Sequence, residues 1–86
     1  MAFPHNVQVS VNANPAGDNV SVYNFYVNGT LSVSQATPKA VIAIPGPGTY
    51  VFEVSASNGF GESPKVVGTL IASVPSVPSN IQVVVL

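Results

Sequence analysis

Thr49-Tyr50-Val51-Phe52-Glu53-Val54-Ser55-Ala56-Ser57 alternates more strictly than any other stretch of this 86-residue chain. Successive side chains of an extended strand point to opposite faces. Tyr50, Phe52, Val54 and Ala56 therefore share one face, and Val51, Glu53, Ser55 and Ser57 share the other. Such a run is expected to be a strand with its aromatic face in a core. Pro45-Gly46-Pro47-Gly48 precedes it and Asn58-Gly59-Phe60-Gly61 follows it, and both are turn-forming.

The same punctuation extends in both directions. Val7, Val9 and Val11 alternate with Gln8, Ser10 and Asn12, as in a half-buried strand, and the residues before Val7 do not read as a strand. Asn14-Pro15-Ala16-Gly17-Asp18 is a turn cluster. Residues 20–27 form a second strand, apolar on both faces, ended by the hairpin dipeptide Asn28-Gly29. Residues 31–34 form a short edge strand broken by Thr37-Pro38, and 40–44 form a further strand. Residues 66–72 are a strand interrupted by Gly68. Pro75 and Pro78 make 73–79 a semi-extended linker, and 81–86 close the chain as a very apolar strand. No helical periodicity is present. Many short strands at regular turn spacing predict an all-β sandwich or barrel.

Composition narrows the function. The length suits one domain. Apolar residues make up 47% and charged residues only 6%, against about 25% charged in an average domain. Ser, Asn, Thr and Gln must therefore cover the surface. Lys39 and Lys65 are the only cations and the net charge is -1, so neither phosphate neutralisation on a nucleic acid nor attraction to an anionic membrane is expected. No apolar run has the length of a transmembrane helix, and the opening residues lack the pattern of a signal peptide. Cysteine is absent, so the fold is expected to need no disulfide or thiolate metal site and to assemble in a cytoplasm.

Catalytic constellations are not expected. His5 is the lone histidine, and Asp18, Glu53 and Glu62 are the only carboxylates, scattered over a turn, a strand and a loop. General acid–base pairs and metal cages need convergent ligands. The serines have no activating base, and Gly59-Phe60-Gly61 opens no helix and lacks a phosphate-binding Lys. No enzyme activity, cofactor or metal is therefore anticipated. Phe60, at a loop tip, is a contact candidate, with packing over the end of the core as its alternative.

Residues 44–63, from Ile44-Pro45-Gly46-Pro47-Gly48-Thr49-Tyr50 to Asn58-Gly59-Phe60-Gly61-Glu62-Ser63, resemble the E–F–G region of fibronectin type III domains. Residues 20–29 resemble that family's strand C, and residues 7–15 its strand B, with Val11 where a Trp is usual. The resemblance implies a fibronectin type III-like, immunoglobulin-like two-sheet sandwich. It also implies that Tyr50 is a tyrosine-corner residue, bonding back to the backbone near the E–F turn.

One strand is out of place. Val77-Pro78-Ser79-Asn80-Ile81-Gln82-Val83-Val84-Val85 resembles the family's first strand, A, so the order in sequence reads B-C-C′-E-F-G-A. The chain then divides into a sandwich body (1–72), a Pro-rich linker (73–79) and a terminal strand (80–86). Ile81, Val83, Val84, Val85 and Leu86 need a partner, because an unpaired apolar strand is an aggregation hazard. It can fold back onto its own strand B or be donated to strand B of a neighbour. A sandwich about 30–35 Å long exceeds the roughly 23 Å that the linker spans, which favours donation.

These features point to a non-enzymatic structural protein, most in keeping with a bacteriophage virion accessory of the capsid decoration, cement or tail kind. By resemblance, phage structural proteins often carry such domains. Its partners would be copies of itself, or capsid or tail proteins, and its location the virion, after assembly in the host cytoplasm. The alternative is an extracellular adhesion or carbohydrate-binding module belonging to a larger secreted protein.

Overall fold

The computed structural model describes residues 4–75 and 77–86. The chain is all-β and forms two antiparallel sheets. The strands are β1 (His5–Ser10), β2 (Val22–Val27), β3 (Thr30–Gln35), β4 (Lys39–Ile44), β5 (Gly48–Asn58), β6 (Gly61–Glu62) and β7 (Val66–Ala72). β1 and β4 make the smaller sheet. The larger has the order β3-β2-β5, and β6 and β7 pair one after the other along the remaining side of β5.

The alternation of β5 explains its central position. Phe52 and Val54 are buried, and Tyr50 and Ala56 pack against them from the same face. β4 supplies the opposing layer through Ala40, Ile42 and Ile44, whose period of two is complete. Phe25 and Ile44 are fully enclosed between the sheets. Each stabilises the fold by about 1.5–3 kcal/mol through loss of water contact. Ala72, at the end of β7, completes this cluster.

Local chemistry sets the registers. Val27 faces Thr30 across the two-residue turn Asn28-Gly29, and both turn residues have positive φ, 50° and 83°, as a type I′ hairpin requires. Asn28 also ties this turn to β5. Its N–H donates to the Val51 carbonyl at 2.8 Å, and its Oδ1 accepts from the Val51 N–H at 2.9 Å. A register shift between Phe25 and Tyr26 places a bulge opposite in β3. The Tyr50 hydroxyl donates to the Gly46 carbonyl at 2.7 Å, closing the β4–β5 connection.

Two expectations change. The first strand starts at His5, not Val7, because β4 extends to Ile44 and pairs with it. The second starts at Val22 and is not apolar on both faces. Asn24 and Ser55 are buried polar residues on the outer face of the larger sheet, where Asn24 Nδ2 donates to Ser55 Oγ (3.1 Å) and Ser57 Oγ (2.8 Å). The turn-forming stretch after β5 is tight, since Asn58 pairs directly with Gly61.

Candidate functional site

The feature that stands out is an unfinished sheet edge. Val11 donates its N–H to the Pro38 carbonyl at 2.9 Å, in the same register as the β1–β4 ladder. In an antiparallel ladder, alternate residues turn both backbone groups toward one neighbour. His5, Val7, Val9 and Val11 therefore bond inward to β4, and Asn6, Gln8 and Ser10 direct N–H and C=O outward. No described residue pairs with that outer edge.

The apolar faces beside the edge are also incomplete. Val7, Val9 and Val11 reach the core yet are only half-buried. Between β1 and β7 runs an open cleft of about 350 Å³, lined by Val7, Val9, Phe52, Gly68 and Leu70. A smaller cleft of about 140 Å³ continues it past Val11, Val54 and Val66. Gly68 faces Phe52 across the ladder and lines both. A Cβ at Gly68 would meet nothing within 4 Å, so packing inside the chain does not demand a glycine there. A strand glycine of this kind fits the close approach of another backbone.

The terminal segment presents the complementary problem. Residues 81–86 are in no ladder and are fully open to water. Ile81 is 91% exposed, Val83 85% and Val85 95%. The long axis of the molecule is 72 Å against 22 and 17 Å for the others, and the radius of gyration is 18.7 Å. A compact domain of this length would have a radius near 12 Å. The segment thus projects from the body. Residues 80–86, expected as a terminal strand, form no strand with any described residue.

Phe60 is wholly exposed at the tip of the β5–β6 turn and does not cover the core. The polar groups beside it are occupied by one another. Asn14 Nδ2 donates to Asp18 Oδ2 (2.9 Å), Asn58 Nδ2 to the Asp18 carbonyl (2.8 Å), and the Phe60 N–H to Asn58 Oδ1 (2.8 Å). They build the pole of the sandwich and offer few free groups to a ligand.

The larger sheet carries one connected polar network on its outer face. Ser34 Oγ donates to Asn24 Oδ1 at 2.8 Å, extending the Asn24–Ser55–Ser57 set. The hydroxyls of Ser55 and Tyr26 both donate to Glu62 Oε2, the latter at 2.6 Å. Those bonds hold the Glu62 carboxyl below its ordinary range, the Ser55 bond most strongly. The bond to Glu62 raises the Tyr26 phenol in turn. The Lys65 ammonium lies 4.0 Å from the Tyr26 ring centroid. Among the described residues, no three His, Cys, Asp or Glu side chains converge as a metal site would need. His5 lies on β1, Asp18 in the turn before β2 and Glu53 on β5.

Comparison of the chain with protein-family models, curated proteins and solved structures found no match.

The sequence alone singles out Ile81, Val83, Val84, Val85 and Leu86. The resemblance also names strand B as their partner, but not the edge residues Asn6, Gln8 and Ser10 or the part played by Gly68. Gly68 read only as a blemish in an apolar strand, and its meaning depends on the cleft in front of it.

Proposed function

We propose that this chain is a non-enzymatic structural protein with a fibronectin type III-like sandwich, a virion accessory of the decoration, cement or tail kind, which works by accepting a β-strand on the open edge of β1. One observation carries the reading: Asn6, Gln8 and Ser10 offer a row of backbone groups beside an apolar cleft that nothing in the described chain fills. Pairing with an exposed edge supplies main-chain hydrogen bonds, and the cleft supplies side-chain selectivity. The sheet order supports the family reading. β1-β4 and β3-β2-β5-β7 match strands B-E and C′-C-F-G, which leaves the place of strand A beside β1. The virion setting rests on resemblance and on the low charge of a surface covered by Ser, Asn, Thr and Gln.

Gln8→Pro tests the edge. Its N–H points outward, so proline removes no bond to β4, and proline is tolerated on an edge strand. Sedimentation across a concentration series should find the wild-type chain associated and Gln8→Pro monomeric, with the same circular dichroism. Identical sedimentation of the two proteins would remove the edge as the working surface.

A further inference from the structure

We infer that the strand accepted by β1 is residues 81–86 of a second copy of this chain, laid antiparallel so that Ile81, Val83 and Val85 face Val11, Val9 and Val7. The inference rests on the assembly reading above and names its partner.

Parity selects the register. Residues facing each other across a ladder put their side chains on the same side. Val7, Val9 and Val11 face the core, so the donor residues opposite them must be apolar. In the terminal segment Ile81, Val83 and Val85 form an unbroken apolar row, and Asn80 and Gln82 lie in the other row. Sliding by one residue would turn Gln82 into the cleft. In the chosen register Gln82, Val84 and Leu86 stand opposite Ser10, Gln8 and Asn6, on the solvent side.

Direction favours a second molecule. The cleft associates Val7 with Leu70 and Val11 with Val66, so β1 and β7 run in opposite senses. An antiparallel donor enters beside Val11 and ends beside His5. The chain leaves its own body at Ala72, which is at the His5 end. To fill its own cleft it would first retrace the length of β7, about 20 Å at the rise of a strand, which takes up nearly all of the roughly 23 Å that a linker carrying Pro75 and Pro78 can span. The segment of a neighbour stacked pole to pole enters the cleft directly. That entry pole also bears Phe60. Asn14 lies between the mouth formed by Val11 and Val66 and the hollow beside Phe60. The exposed Phe60 ring is therefore placed to meet the incoming linker, whose Val74 and Val77 are exposed too. Donor and acceptor differ, so the contact is head-to-tail and propagates as a ring or a filament. Residues 73–86 contain no charged side chain, so association should be insensitive to salt.

The chain has no cysteine, which makes introduced pairs unambiguous. Residues opposed in a hydrogen-bonded antiparallel pair lie about 5.5 Å apart at Cα, within the disulfide range of about 4.4–6.8 Å. Gln8→Cys and Val84→Cys are placed in one chain, and separately in two chains of different tag length, and oxidised with glutathione disulfide. A ladder of covalent multimers from the double variant, and a mixed dimer from the two single variants, are expected. A single monomeric band with an internal disulfide would overturn the second copy as occupant and leave the open edge in place. The absence of any disulfide, in a protein that still loses its association on Gln8→Pro, would overturn residues 81–86 as the occupant and show that another segment of the second copy pairs with the edge.

Discussion

Val83→Ala should weaken self-association about 15-fold, and Val84→Ala should barely change it. In the single chain Val83 is 85% exposed, so its truncation removes nothing from the fold of the body. In the donated register its side chain enters the cleft between Val9 and Phe52. Valine to alanine deletes two methyl groups, each worth about 0.8 kcal/mol when buried, or about 1.6 kcal/mol together. At 1.4 kcal/mol per decade, that is the 15-fold loss. Val84 would lie on the solvent side, where truncations change free energy by about 0.5 kcal/mol or less, roughly two-fold. Sedimentation equilibrium of the three proteins gives the dissociation constants, and melting of dilute samples checks that the monomers are equally stable. Equal weakening by the two substitutions would refute the alternation on which the register rests. A larger effect at Val84 would place the strand one residue out.

Other outcomes follow from the same geometry. Gly68→Leu should block the cleft without harming the body, because its Cβ has open space; dilute melting should be unchanged while sedimentation reports monomer, and an unaltered assembly would count against the cleft. Tyr50→Phe removes the bond to Gly46 and should cost about 1 kcal/mol, or about 4–8 °C in melting midpoint for a domain of this size; an unchanged midpoint would show that the bond does not hold the β4–β5 connection. Glu62 has a lowered folded-state pKa, so its contribution to stability is present above the ordinary carboxylate pKa and is lost as pH falls through the lowered value. Tyr26 has a raised one, so its contribution is present below the ordinary phenol pKa and is lost as pH rises through the raised value. Glu62→Gln should flatten the acid part of a denaturation series across pH, and a slope equal to wild type would assign that dependence elsewhere.

Much of the body was legible because its strands are strongly patterned. β5 follows its alternation nearly residue for residue, and Asn28-Gly29 marks a hairpin whose two positive φ angles few other pairs accept. What was not legible depended on pairing. His5 and Asn6 carry no strand signal of their own and are extended because Ile44 and Ala43 lie opposite. Asn24 sits in an aromatic stretch and was absorbed into it. Its role needs Ser34, Ser55 and Ser57 from two other strands, a juxtaposition that no local pattern encodes. The candidate site divides in the same way. The donor row announces itself by composition and the resemblance points to strand B as its acceptor, whereas the outward parity of Asn6, Gln8 and Ser10 follows only from the pairing of β1 with β4.

The most direct measurement is the native mass of the full chain beside that of a chain ending at Ala72. The account predicts multimers from the first and a folded monomer from the second, because the body makes its core without the terminal segment. Two monomers of equal melting temperature would contradict it.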